Sequence, residues 1–165
     1  MAEVTRLTWE QLTAAVLQFP TRLALALTLW AEGRSEGVPG IVAIAWVIRN
    51  RTVARKQTYN EVVLAKHQFS CWPPYNGDQN EEVLRGMCER ILDGRPTETR
   101  SSSLDSVMWT TCLRIADGVI AGVFPDPVGG AQHYLTTKLY KSAECPSWAK
   151  ALSSVAVIGR HTFLR

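Results

Sequence analysis

The stretch LWAEGRSEGVPGIVAIAWVIRNR, residues 29–51, decides the fold of this chain. An apolar run ends at Glu32, a polar break occupies residues 33–37, and a second apolar run extends from residue 38 to residue 48. Two segments of core composition therefore meet at a turn that carries two carboxylates and a guanidinium. Packing does not require these charges, whereas a functional site needs a rigid scaffold to hold an acid group.

The composition suits one folded domain with its own core. The chain has 165 residues, of which 46% are hydrophobic and 20% are charged, and this length and apolar content are sufficient for a core without disulfides. The formal net charge of +3 is too small to indicate a nucleic-acid partner. The six tryptophans include candidates for stacking on a flat ligand, although a core position is the default for this residue.

The segment LALALTLWA at residues 23–31 follows Arg22 and imitates the apolar part of a signal peptide. It is too short to cross a bilayer. The residues before it include Glu3, Glu10 and Pro20, which do not suit the basic start of a signal. We therefore expect no export signal and no membrane span.

The four cysteines have no CxxC spacing, which disfavours a zinc site. Cys88 and Cys112 fall on apolar helix faces and are expected in the core. Cys71 and Cys145 lie in loops. A disulfide between them is the less favoured alternative for a chain without an export signal.

Periodicity and capping signals predict a mainly helical α+β domain. The predicted helices cover Thr8–Phe19, Arg22–Ala31, Tyr59–Ala65, the segment that Asn80 caps and Gly94 ends, and the segment from Ser103 to Gly122. Thr8 with Gln11 forms a candidate capping box, and Thr21 is a candidate cap. Helix and strand remain open for residues 39–53, which are rich in Val and Ile. Short strands are predicted after Gly130 and around Gly159.

Glu32 is the candidate general acid. Carbonyl groups at a helix end disfavour a carboxylate, and Trp30 with its apolar neighbours adds desolvation. A carboxylic acid that keeps its proton is what cleavage of a glycosidic bond needs. Taken alone, these residues favour the plain alternative of a helix end with a solvated pair of Glu32 and Arg34.

Four ordered motifs between residues 32 and 163 reverse that preference. They are Glu32-Gly-Arg-Ser-Glu36 with Gly40, Asn50 and Arg51; Gln68-Phe-Ser70; Asp126-Pro-Val-Gly-Gly-Ala131 with Tyr134; and Ile158-Gly-Arg-His161-Thr-Phe163. With these motifs the chain resembles the SleB/CwlJ-type bacterial cell wall hydrolases, which include spore-cortex-lytic enzymes and phage endolysins. The resemblance implies a lysozyme-like fold, related to goose-type lysozyme and resuscitation-promoting factors. We predict a helical extension at residues 1–20 and a catalytic domain at residues 21–165.

The resemblance implies that Glu32 is the catalytic acid and that glycan strands are its substrate. Glu36 is the second catalytic candidate, and an ion pair with Arg34 or Arg51 is an equally open role for it. The candidate substrate-binding residues are Thr58, Gln68, Phe69, Ser70, Trp72, Tyr75, His133 and Tyr134, each with a structural role as the alternative. Thr58 is expected to keep a hydroxyl near the acid, and Tyr134 to brace it. The three histidines lack the spacing of metal ligands, so we expect no metal or cofactor.

We expect cleavage of peptidoglycan between N-acetylmuramic acid and N-acetylglucosamine. A lytic transglycosylase is favoured over a muramidase because no nucleophilic carboxylate is evident. A peptidoglycan amidase, which usually needs zinc or a Cys/His pair, remains open, as does an inactive murein-binding or virion structural module. The expected setting is a monomeric phage endolysin that is made in the host cytoplasm and released to the cell wall, without a nucleic-acid partner.

Overall fold

The chain is mainly helical with a small sheet near its C-terminus, as predicted. The computed structural model describes residues 6–74, 81–95 and 103–165, and of residues 103–105 only the backbone. The elements are α1 (Trp9–Val16), α2 (Thr21–Gly33), α3 (Gly37–Arg55), α4 (Tyr59–Leu64), α5 (Glu81–Leu92), α6 (Ser103–Ile120), β1 (His133–Thr136), α7 (Thr137–Tyr140), α8 (Ser147–Lys150), β2 (Ser154–Ile158) and β3 (His161–Leu164). None of these helices has the length and apolar composition to span a bilayer within the described ranges. The predicted cap Asn80 lies outside them.

The starts of the first two helices have different chemistry. The predicted capping box at α1 is confirmed: the Thr8 side chain accepts from the Gln11 amide, and the Gln11 side chain accepts from the Thr8 amide. The predicted cap at Thr21 is wrong, because Pro20 occupies the N-cap position and Thr21 is the first helical residue. Proline is favourable at a helix start because its fixed φ suits the entry and no amide is lost from the ladder.

Residues 39–53, for which the sequence left both helix and strand open, lie in helix α3. Its residues are rich in Val and Ile, which have only a weak preference against helix. Burial on several sides decides the outcome, since Ile41, Ile44 and Ile48 are at most 1% exposed. Pro39 is the third residue of α3 and lies in its first turn, where a missing amide costs nothing.

One large core joins the helices. Helix α2 packs against α3, α4 and α6, and most of its residues are buried, as expected for a helix that is apolar all round. Leu12 and Val16 of α1 belong to the same core. Asn60 ties α1 to α4 because its Nδ2 donates to the carbonyl of Phe19 at 2.8 Å. The domain boundary at residue 20 stays a prediction.

The sheet has the order β1-β3-β2, and both pairs are antiparallel. In the first pair Tyr134 lies opposite Phe163, and Thr136 lies opposite His161. Ala43 and Val47 of α3 pack against Phe163 in a second, smaller core. Helix α3 therefore contacts both the helical core and the sheet, and the site lies where the two meet.

The cysteines carry no disulfide. All four lie in the described ranges as buried thiols, so the alternative of a bridge between Cys71 and Cys145 is wrong for this structure. Burial raises the pKa of both Cys88 and Cys112 to about 12. These two thiols therefore stay protonated and act as small core residues.

Candidate active site

Glu32 lies one residue before the end of α2, at the junction that the sequence singled out. Its Oε1 accepts hydrogen bonds from the Cys71 amide at 3.0 Å and from the Ser70 hydroxyl at 3.2 Å. The Tyr134 side chain lies next to Glu32 and interacts with it electrostatically. Helix α2, the loop after α4 and strand β1 therefore converge on one carboxyl group.

Tyr134 keeps its proton beside this carboxyl group. Burial raises the pKa of Tyr134 well above its ordinary value, and the neighbouring Glu32 raises it further. Its ring packs edge-on against His161, with centroids 5.2 Å apart, and lies 5.7 Å from the Phe163 ring. The aromatic contacts fix the ring, so its hydroxyl has a defined direction.

The Glu36 side chain is almost entirely enclosed and has Arg160 and His161 as its partners. Its side chain is 4% exposed and lies 3.3 Å from Nδ1 of His161, while the guanidinium of Arg160 donates to its Oε1. Burial alone would raise the pKa of Glu36, but the hydrogen bond from Arg160 and the nearby His161 outweigh burial and lower it. The sequence did not identify Arg160 as a partner of this carboxylate.

Two glycines make room for Glu36. A Cβ atom at Gly40 would lie 2.5 Å from Cβ of Glu36, closer than packed carbon atoms allow. Gly159 has a φ of +57°, which favours glycine, and a Cβ there would lie 3.2 Å from Oε2 of Glu36. Both glycines belong to the motifs found in the sequence, so their spacing has a packing reason.

Two clefts flank the pair of Glu32 and Tyr134. The carboxylate cleft has a volume of about 600 Å³ and is lined by Glu32, Ser35, Glu36, Thr136, Thr137, Lys138, Arg160 and His161. The basic cleft has a volume of about 430 Å³ and is lined by Arg51, Arg55, His67, Gln68, His133, Tyr134 and Trp148. Because Glu32 lines the first cleft and Tyr134 the second, this pair of side chains lies between the two clefts.

Comparison with known proteins identifies the family of the chain. A sequence model described as Cell Wall Hydrolase matches residues 35–164. The chain belongs to the cell wall hydrolase family. The match begins after Glu32, so the significance of this residue depends on the geometry above.

The fold also matches a solved structure. It is similar to the catalytic domain of the germination-specific lytic transglycosylase SleB from Bacillus anthracis, with a TM-score of 0.56 and 20% identity over 90% of this chain and 98% of that one. At this identity the likeness establishes the lysozyme-like fold. No curated protein sequence matches the chain significantly.

The loop before β1 in this cell wall hydrolase is held by Asp126. Its carboxylate accepts hydrogen bonds from the amides of Val128 at 2.8 Å and Gly130 at 2.7 Å. Asn50 of α3 donates from Nδ2 to the same carboxylate at 3.3 Å. The Asp-Pro-Val-Gly-Gly-Ala motif therefore forms a closed turn that is anchored on α3.

Asn50 and Arg51 connect the end of that loop to the same helix. Nδ2 of Asn50 donates to the Ala131 carbonyl at 3.0 Å, and Nε of Arg51 donates to the Gln132 carbonyl at 2.6 Å. Burial lowers the pKa of Arg51 to about 10, so its guanidinium stays charged at neutral pH. These contacts fix the backbone directly before His133 and Tyr134.

Two predicted substrate-binding residues are core residues instead. Phe69 is 3% exposed and packs under the guanidinium of Arg51 at 5.3 Å from the ring centroid. Trp72 is 2% exposed, and its indole N–H donates to the Thr28 hydroxyl at 3.0 Å. Neither ring has a face available to a sugar, so their assignment to the substrate was wrong. Tyr75 lies outside the described residues.

Thr58 also has a different role from the predicted one. It is the N-cap of α4, where its hydroxyl accepts from the Glu61 amide at 3.2 Å and donates to the Glu61 carboxylate at 2.9 Å. It lines neither cleft at Glu32. The expectation of a Thr58 hydroxyl beside the acid was wrong because this capping box determines its position.

Of the remaining predicted residues, Gln68, His133 and Tyr134 line the basic cleft, whereas Ser70 does not line it and instead contacts Glu32. Gln68 accepts from both Nη atoms of Arg55 at 3.2 Å. Burial lowers the pKa of His133, and the charges of Arg51 and Arg55 lower it further, so its ring is neutral at neutral pH. Sequence analysis missed Trp148, which is 47% exposed and has its ring 5.5 Å from that of His133.

The histidines form no metal site in the described ranges. No group of three or more His, Cys, Asp or Glu side chains is arranged there to hold an ion. His161 instead contacts Glu36, and His133 contacts Trp148. His133 and His161 therefore each have a contact of their own at one of the two clefts.

Proposed function

We propose that this cell wall hydrolase cleaves peptidoglycan glycan strands between N-acetylmuramic acid and N-acetylglucosamine, with Glu32 as the catalytic acid. The observation that carries the proposal is the convergence of the Ser70 hydroxyl, the Cys71 amide and Tyr134 on Glu32 beside an open cleft. A carboxyl group held from three segments of the chain has the fixed geometry that proton transfer to a glycosidic oxygen requires.

The reaction begins when protonated Glu32 donates its proton to the glycosidic oxygen. The bond to C1 of muramic acid then breaks, N-acetylglucosamine leaves as an alcohol, and positive charge develops on the muramic ring. The carboxylate of Glu32 that this step produces is stabilised by the donors at Cys71 and Ser70.

We propose that the second step is transfer within the sugar. The muramic 6-hydroxyl attacks C1 and gives its proton to Glu32, which forms a 1,6-anhydro end and restores the acid. Glu36 supports this route because its carboxylate is 4% exposed and paired with Arg160 and His161, an arrangement that does not suit a nucleophile. Its contribution is positional, through His161, whose ring packs against Tyr134.

The test is digestion of purified peptidoglycan with wild type and the Glu32→Gln variant, followed by mass spectrometry. Wild type is expected to release muramic ends that are lighter than muramidase products by one water. Glu32→Gln is expected to lose activity by at least about a hundredfold, the usual contribution of a positioned acid. Glu10→Gln, an exposed change on α1, is the matched control and is expected to behave as wild type.

Other products would identify other functions. Reducing muramic ends alone would contradict the transglycosylase step and leave glycan cleavage intact. Free peptides with intact glycan strands would identify the amidase instead. Binding of peptidoglycan without any product, unchanged in Glu32→Gln, would identify an inactive murein-binding or virion module.

We propose the biological setting of a phage endolysin, made in the host cytoplasm as a monomer and acting on the cell wall after release. The support is the likeness of its motifs to a family that includes endolysins. In a bacterial host, expression alone is expected to leave cells intact, and permeabilising the inner membrane is expected to lyse them. Lysis without permeabilisation, or a dimer in light scattering, would contradict this setting.

A further inference from the structure

The two clefts beside Glu32 differ in charge. The carboxylate cleft contains both Glu32 and Glu36 together with its basic residues. Among the described residues that line the basic cleft, none is acidic, and Arg51, Arg55, His67 and His133 lie there together. The guanidinium groups of Arg51 and Arg55 are gathered in this cleft without a carboxylate. That arrangement is unfavourable for the protein alone, which points to an anionic ligand.

The arginines of the basic cleft have neutral partners in the contacts that orient them. Arg55 is exposed and donates to the amide oxygen of Gln68, and Arg51 donates to the carbonyl of Gln132. These contacts fix the guanidinium groups and leave their positive charge uncompensated. A carboxylate would gain two charge-assisted hydrogen bonds from a guanidinium oriented in this way.

Arg51 gives a second, independent reason to expect an anionic ligand in the basic cleft. It is 6% exposed and lines the basic cleft. Its Nη1 is buried without a hydrogen-bond partner in the described part of the chain. A buried donor of this kind is costly when it stays unsatisfied, and a small turn of the guanidinium toward a ligand carboxylate in the cleft would satisfy it.

Trp148 forms an apolar boundary of the same cleft. Its ring is 47% exposed and is held at 5.5 Å from the ring of His133. An exposed indole next to arginines suits a ligand that alternates carboxylates with small apolar groups. A bare sugar chain has hydroxyl groups and does not need this concentration of positive charge.

We propose that the basic cleft binds carboxylates of the peptide stem on muramic acid, so that the enzyme prefers glycan strands that carry peptides. The inference rests on the proposed glycan cleavage, because it identifies which strands the same site accepts. The stem is attached through the lactyl group at C3 of the same muramic ring whose C1 bond is cut. Its carboxylates therefore reach the side of Glu32 on which the basic cleft lies.

Three substrates separate the possible sources of the carboxylate. The first is soluble glycan strands with intact peptide stems. The second is the same strands after enzymatic removal of the peptides, which leaves the lactyl carboxylate. The third carries stems whose carboxylates have been converted to methylamides. The initial rate of muramic-end formation at low substrate concentration gives kcat/KM for each.

Wild type is expected to cleave the peptide-bearing strands about tenfold faster than either other substrate, the factor that one partly exposed charge-assisted contact supplies. Arg55→Gln is expected to reduce this ratio to about one. Arg114→Gln, which removes the same charge from an exposed position on α6, is the matched control and is expected to keep the wild-type ratio.

Two results would overturn the inference while glycan cleavage stands. One is equal kcat/KM of wild type for all three substrates. The other is a wild-type preference that Arg55→Gln retains. A dependence on Arg55 that is equally strong for peptide-free strands would assign the cleft to the lactyl carboxylate and also overturn it. If no substrate is cleaved by wild type, the proposed function itself fails.

Discussion

Replacing Glu36 with glutamine tests whether its contacts with Arg160 and His161 hold the turn between α2 and α3 to the sheet. The substitution keeps the shape of the side chain and removes its charge. In the native protein this side chain is 4% exposed, with His161 Nδ1 at 3.3 Å and the guanidinium of Arg160 as its second partner. The side chain of Arg160 is 70% exposed, so solvent weakens that pair.

The expected cost follows from these exposures. A buried hydrogen bond to a charged group contributes about 1.5–3 kcal/mol to the free energy of unfolding. An ion pair with a largely exposed partner contributes at most about 1 kcal/mol. Since Glu36 is buried and Arg160 is exposed, we expect Glu36→Gln to lower the free energy of unfolding by about 1–2 kcal/mol at pH 7.

The cost depends on pH in a defined direction. The pKa of Glu36 is lowered in the folded protein from its ordinary value of 4.5, because Arg160 and His161 outweigh the opposing effect of burial. The carboxylate therefore contributes its full stability above pH 4.5, and this contribution is lost as the pH falls through the folded pKa. The difference between wild type and Glu36→Gln should shrink below pH 4.5.

Urea unfolding followed by far-UV circular dichroism at several pH values between about 3 and 7 measures this difference. Glu10→Gln, an exposed change on α1, controls for the loss of one negative charge. Equal stability of wild type and Glu36→Gln at pH 7 would refute the reasoning. A difference that stays constant down to the lowest pH would also refute it, because the carboxylate would then contribute nothing through its charge.

Three further substitutions have defined outcomes in urea unfolding. Gly40→Ala should lower the free energy of unfolding by about 1–3 kcal/mol because the added Cβ clashes with Glu36. An increase in stability would show that the turn moves to make room for the methyl group. Asn60→Ala should cost about 1–3 kcal/mol, because carbonyls at the end of α1 lose their donor; no change would show that water replaces it. Trp72→Phe should lower the free energy of unfolding by about 1–3 kcal/mol, because the hydrogen bond to Thr28 is lost. It should leave KM unchanged, and a raised KM would show that Trp72 contacts the substrate.

The sequence predicts helices whose ends are determined by local contacts. It leaves open the type of an element that is determined by tertiary packing. The capping box at Thr8 needs only residues three apart, so it was predicted correctly. Helix α3 was left open because its Val and Ile content favours strand while burial against α2 and α6 favours helix. The position of Glu32 at the end of α2 followed from the abrupt loss of apolar residues.

The contacts at the site depend on residues far apart in the chain, which spacing does not reveal. Arg160 reaches Glu36 across 124 positions because the turn between β2 and β3 lies next to Glu36. Trp72 follows a motif that contacts Glu32, yet its indole is buried, whereas Trp148 is the exposed ring. Composition marks both as aromatic, and only the packing shows which has a free face.

Helix α3 sets a fixed spacing within the site. Glu36 precedes its first residue and binds the β2–β3 turn, while Asn50 and Arg51 near its last turns bind the loop before β1. The 14 positions between Glu36 and Asn50 correspond to about 21 Å of helix. Deleting one residue between them would shorten that spacing by about 1.5 Å and rotate the later contacts by about 100°. Homologous enzymes that keep both contacts should therefore vary in loop length, while the number of residues between these two anchors stays constant.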